Sequence, residues 1–205
     1  MTSKPWPSES GGESISMAPD WVPAEMPPGY RTRLEEIQRL SADLQAMDPF
    51  ARLLWAAGPP LTDAVRDAVL ALGFEAALPP GPAASGIIVK LSAGRLLLHV
   101  APDAGIIRKK SPELAHVFQM MQELAEDADR VVLVANSDPA TRPADRAEGI
   151  EPDAVAFLRR MGANFLASST LFRLWMLSLH DQKRARDHVE RLHAQDGGIF
   201  LPPPS

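Results

Sequence analysis

A chain of 205 residues, 45% hydrophobic and 23% charged, has the material for one folded domain with tails or a helical extension. Its formal net charge of −5 excludes general attraction to nucleic acid or anionic lipid and leaves only a local basic patch as a route to either. With no cysteine, disulfides, thiolate metal sites and a cysteine nucleophile are excluded.

No apolar run approaches the roughly 20 residues of a membrane-spanning helix. After Lys4 come proline, serine, glycine and acid rather than the apolar stretch of a signal peptide, so the expectation is a cytoplasmic protein with no membrane span. Residues 1–30 carry Pro5, Pro7, Pro19, Pro23, Pro27 and Pro28 with few aliphatics. Such a segment buries too little apolar surface to offset its ordering entropy, and a disordered tail is expected. Trp6, Trp21 and Tyr30 are odd in a purely solvating tail. They read either as scattered apolar residues in a linker or as a docking motif around Trp21-Val22-Pro23.

From Arg31 the pattern turns helical: Leu34, Ile37, Leu40, Leu44 and Met47 recur every three or four residues. An amphipathic helix over 31–48 follows, ended or kinked by Pro49. Its stripe packs on its own domain or pairs with a second copy as a coiled coil through residues 34–47. It is shorter than the three or four heptads that identify such a coil.

The globular domain is expected over 49–200, with a tail at 201–205. Gly58-Pro59-Pro60 breaks the chain before a helix whose stripe is Leu61, Ala64, Val65, Ala68, Val69 and Leu72, stopped by Gly73. Phe74–Leu78 reads as a strand. Ile87–Leu91 and Arg95–Val100 form a hairpin across Ser92-Ala93-Gly94. A helix at Pro112–Leu124 turns Leu114, Val117, Phe118, Met121 and Leu124 inward. Arg130–Ala135 is a fully buried strand, and 136–151 is a polar loop. Pro152–Met161 is a helix, Asn164–Ser168 a strand, Ser169–Leu179 a helix and Lys183–Leu192 a last charged helix. This order implies an α/β fold with a mixed sheet covered by helices.

That order resembles the restriction-endonuclease-like domains, the PD-(D/E)xK superfamily, over residues 50 to 200. The resemblance is carried by Leu53-Leu54-Trp55-Ala56-Ala57-Gly58, Leu72-Gly73-Phe74, Arg95-Leu96-Leu97-Leu98-His99-Val100, Val131-Val132-Leu133-Val134-Ala135-Asn136 and Leu166–Trp175. It implies an acid opening the second core strand and Glu-x-Lys on the next. The carboxylates would hold Mg²⁺ and the lysine would help activate water. The spacing of two keeps Glu and Lys on one face of the strand. Here the first acid falls near Ser85, Gly86 or Ile87, the glutamate position holds His99 and the lysine position holds Ala101. All three groups are missing. A lone histidine is a poor metal site.

A relocated site would draw on Asp103, Glu113 and Lys109. Against it, Asp103 suits a turn and Glu113 suits the first turn of a helix. Arg108-Lys109-Lys110 is a compact basic triplet and a candidate contact for nucleic acid or a partner, or simply a solvated loop. Ser168, Ser169 and Thr170 near His180-Asp181 lack a nucleophile elbow, and Ser169-Thr170 suit a helix N-cap. His180, His188 and His193 lack the spacing of a two-histidine metal face and read as surface residues. Phe172, Trp175 and Trp55 read as core. The expectation is therefore a catalytically inactive nuclease-like domain, with no cofactor and no metal. It would act as a protein-binding or regulatory module in a larger bacterial assembly. The alternatives are a non-cleaving nucleic-acid-binding protein and a metal-dependent nuclease with relocated residues.

Overall fold

The computed structural model describes residues 25–79 and 86–201. Residues 1–24 of the tail expected over 1–30, with the docking motif around Trp21-Val22-Pro23, the loop 80–85 and the end of the chain at 202–205 lie outside the described residues. The chain divides into two units, Met1–Ala46 and Met47–Ser205.

Helix α1 spans Tyr30–Trp55 and contains Pro49. Of the end or kink expected at Pro49, the end is corrected, since the helix runs on to Trp55. Proline removes one backbone N–H from the helix ladder, and packing beyond it holds the helix: Leu53 is buried, and the Phe50 ring stacks on Trp175 at 4.3 Å. Trp55, expected in the core, is exposed, because Leu53 rather than Trp55 occupies the inward position of this last turn.

The second unit is built on a six-stranded mixed sheet in the order β1 (Glu75–Ala77), β2 (Gly86–Lys90), β3 (Arg95–Val100), β4 (Arg130–Ala135), β5 (Asn164–Ala167), β6 (Gly198–Ile199). The first three strands are antiparallel, while β3 to β6 run parallel. One face carries Leu96, Leu98, Val100, Val132 and Val134. It packs on α2 (Gly58–Ala71), α5 (Ser168–Ser178) and α6 (Gln182–Ala194). The other carries Leu97, Ala101, Val131, Leu133 and Ala135 beneath α3 (Pro112–Leu124) and α4 (Pro152–Met161). Both faces of the central strands are buried, which is why Val-Val-Leu-Val shows no alternation in sequence.

Several expected details shift. In α3 the inward stripe is Leu114, Val117 and Met120; Phe118 is exposed, and Met121 and Leu124 are only partly buried. Apolar residues at 117, 118, 120 and 121 fit two helical phases, and the sheet selects one. Trp175 is buried and Phe172 packs beside it, but Leu179 at the helix end is exposed. Ala167, not Ser169 or Thr170, precedes α5, and no side chain caps it. His188 and His193, expected at the surface, are buried. Arg191 donates to His188 Nδ1 at 2.8 Å, and His193 Nε2 donates to the Ala128 carbonyl at 2.8 Å. Strand β6 was not expected. Gly198 and Phe200 donate their N–H groups to Ala163 and Phe165, adding two residues to the sheet.

Arg95 and Asp129 tie the start of β3 to the loop before β4. Arg95 Nη2 lies 2.6 Å from Asp129 Oδ2, and Nε donates to both carboxylate oxygens at 3.1 Å. Asp129 also accepts the backbone N–H groups of Arg95 and Glu126. Burial alone would raise this carboxyl, but the Arg95 hydrogen bonds outweigh it and hold Asp129 below its usual range.

Candidate functional site

Strands β2 and β3 bring the three degenerate positions together. In the antiparallel register Gly86 stands opposite His99. His99 and Ala101 follow Leu97 at alternate positions on the face beneath α3. That face is closed. A Cβ on Gly86 would lie 2.7 Å from the Met120 Cε and 3.3 Å from the Leu98 carbonyl oxygen. Ala101 is wholly buried, and its N–H donates to the Val134 carbonyl at 2.8 Å.

His99 is 2% exposed, and its Nε2 has no hydrogen-bond partner among the described residues. Its ring centroid lies 5.3 Å from that of His116 on α3. Burial pushes the imidazole down to about 4, with the nearby His116 adding to the effect. His99 is therefore neutral near pH 7. A carboxylate at this position would need the paired, solvated surroundings that the packed layer withholds.

The acids of the relocated set come from a bend and from the first turn of a helix. Glu113 is buried in the first turn of α3, while Asp103 is exposed in a bend. Among the described residues, no group of three His, Asp or Glu side chains is placed to hold a metal ion. The serine-histidine-aspartate idea fares no better. Ser168 is buried with no hydrogen-bond partner among the described residues, His180 is exposed, and Asp181 caps α6 by accepting the Arg184 N–H at 2.9 Å.

The basic triplet is split by its loop. Ile107 bridges to Ile150, donating to the Gly149 carbonyl at 3.0 Å and accepting from the Glu151 N–H at 2.9 Å. This docks the loop on the approach to α4. Arg108 pairs with Glu151 at 3.2 Å, an exposed contact of small energetic weight. Lys109 instead lines an open cleft of about 640 Å³ with Arg159 and Arg160 of α4, facing the carboxylates of Glu148 and Asp153. Lys110 is exposed and is not among the residues lining that cleft. Among the described residues, Lys109, Arg159 and Arg160 make no ion pair.

Arg159 and Arg160 escaped the sequence reading, although Arg159-Arg160 is a visible basic pair. Nothing local showed that they meet a lysine fifty positions earlier. Arg159 is shaped by the glycines beside it. Gly197 and Gly198 have φ of +76° and +105°, and a Cβ on Gly198 would lie 2.8 Å from the Arg159 Nε. Glycine there lets β6 pass beneath the guanidinium.

A polar lock closes the end of β4. Asn136 is buried and donates from Nδ2 to the Ala56 carbonyl at 2.9 Å. Arg146 donates to Asn136 Oδ1 at 2.8 Å, to the Thr141 carbonyl at 2.7 Å and to the Leu54 carbonyl. Burial lowers the Arg146 pKa, with Asp138 opposing that shift. The loop 136–151 is pinned at its centre by this one guanidinium. No protein-family model, curated protein or solved structure matches the chain.

Proposed function

We propose that the chain is a catalytically inactive module on a restriction-endonuclease-like scaffold, serving to bind or regulate a protein partner in a larger bacterial, cytoplasmic assembly. The scaffold reading is supported by the order helix, three antiparallel strands, helix and parallel strand over α2 to β4. One observation carries the loss of catalysis. Where the resemblance requires acid, acid and lysine, the chain has Gly86 against Met120, a buried neutral His99 and a buried Ala101. Two carboxylates and a lysine are what would draw Mg²⁺ and activate water, and Gly86, His99 and Ala101 offer none of the three. Calorimetric titration with Mn²⁺ tests this: the reading expects no heat of binding. Stoichiometric binding that disappears in Glu113→Gln would overturn it.

A second reading, nucleic-acid binding without cleavage, is favoured by Lys109, Arg159 and Arg160 lining one cleft with no ion pair among the described residues. Such binding would weaken steeply with salt. Retention of duplex DNA that falls with salt, and falls further in Lys109→Glu/Arg159→Glu, is the expected result. Retention indifferent to both removes this reading.

A further inference from the structure

We infer that the apolar stripe of α1 is a docking element, inserting into an apolar groove on a partner protein whose rim carries lysine and arginine. This rests on the partner-binding reading above and adds the chemistry of the partner. Residues 35–48 of the helix are exposed throughout. On them Ile37 is 60%, Leu40 48% and Leu44 66% exposed, and the spacing of three and four continues in sequence to Met47. Anchors at i, i+3 and i+7 are the pattern of an amphipathic helix that lies in a groove. Solvated aliphatic side chains in such a row cost free energy that only a covering surface recovers.

Length and charge decide what covers them. In sequence the stripe runs only from Leu34 to Met47, with Arg33 before it. The remaining seam is well short of the three to four heptads that sustain a self-paired coil. The charged residues that flank this seam are Glu36 and Asp43, followed in sequence by Asp48, all acidic. A second copy would set these acids against one another in either orientation, which opposes self-pairing. Arg39 lies 3.9 Å from Asp43, but both side chains are more than half exposed, and such a pair leaves the acidic flank largely available. A groove edged by lysine and arginine satisfies both the stripe and its flanks.

The test uses the full chain and two labelled synthetic heptad-repeat helices, each with isoleucine and leucine on the seam. One carries lysine on both flanks and the other glutamate. Fluorescence anisotropy is expected to show the lysine helix binding at least about tenfold more tightly. That binding should weaken with salt and be lost in Leu40→Ser/Leu44→Ser, whose circular dichroism reports whether the fold is kept. Equal binding of both helices, or of neither, overturns the inference. So does a dimer in sedimentation that the same double variant dissociates. Because the chain has no cysteine, Leu44→Cys gives a single labelling site. Its rapid reaction with a maleimide is expected, and protection in the free monomer would mean that the chain covers its own stripe. Failure here leaves the Mn²⁺ titration untouched, so the two readings fall separately.

Discussion

Gly86 and Met120 compete for one space: a Cβ on the strand residue would lie 2.7 Å from the terminal methyl of the helix residue. The contact ties the strand position to which the nuclease resemblance would assign its first acid to the packing of α3 on the sheet. Gly86→Ala should cost about 1 kcal/mol, because the flexible tip of Met120 can yield. Gly86→Asp adds a buried, unpaired carboxylate and should cost about 3 kcal/mol or more. Urea denaturation measures both, and the alanine cost should shrink in a Met120→Ala background. An aspartate variant as stable as the parent would mean that the face is open.

His99 makes stability depend on pH. Its folded pKa of about 4 lies below the unfolded value of 6.5, so the unfolded state takes up protons first as pH falls. The contribution is complete above pH 6.5 and is lost progressively down to about pH 4. The shift corresponds to about 3 kcal/mol. His188, lowered by burial and by Arg191 and Arg184, acts in the same direction. Denaturation midpoints between pH 7 and pH 4.5 should therefore fall, and the fall should be markedly smaller in His99→Leu. An unchanged slope in that variant would assign the effect elsewhere.

Removing Asp129 leaves the part-buried Arg95 guanidinium with only the Leu124 carbonyl and Glu126 as acceptors, and leaves two backbone N–H groups without their acceptor. Asp129→Ala should lower stability by about 2–3 kcal/mol, since hydrogen bonds to charged groups are the costly ones to break. Asp63→Ala, whose contact with Arg66 at 3.5 Å is exposed, should stay within about 0.5 kcal/mol. Thermal unfolding of the pair provides the comparison.

The lock at Asn136 predicts a local rather than a global effect. Arg146→Ala frees the loop 136–151 from the Asn136, Thr141 and Leu54 contacts. Hydrogen exchange should accelerate within that loop while the amides of β4 keep their protection. Exchange rising equally across β4 would show that the guanidinium supports the sheet itself.

Much of this fold was legible because its elements announce themselves locally. Arg130–Ala135 is a short apolar run between polar loops, and Pro152 opens α4 where Gly162 in the left-handed region closes it. What was not legible depends on distant partners. Pro49 looked like a helix end or kink until Phe50 met Trp175, and Gly198–Ile199 became a strand only by pairing with β5. His188 and His193 sit among charges in sequence, yet the helix turns both inward. At the candidate site, the identities of Gly86, His99 and Ala101 could be read directly. That Met120 fills the space could not, because the phase of α3 is set by the sheet. The Lys109–Arg159–Arg160 cleft was hidden for the same reason, resting on one bridge between Ile107 and Ile150.

We propose, above all, that this chain has no working nuclease site. Nicking of supercoiled plasmid by the purified full chain in Mg²⁺ or Mn²⁺, beside Glu113→Gln, tests it most directly. The prediction is that the supercoiled fraction stays at the level of protein-free buffer for both proteins. Nicking by the wild-type chain that Glu113→Gln abolishes would contradict it.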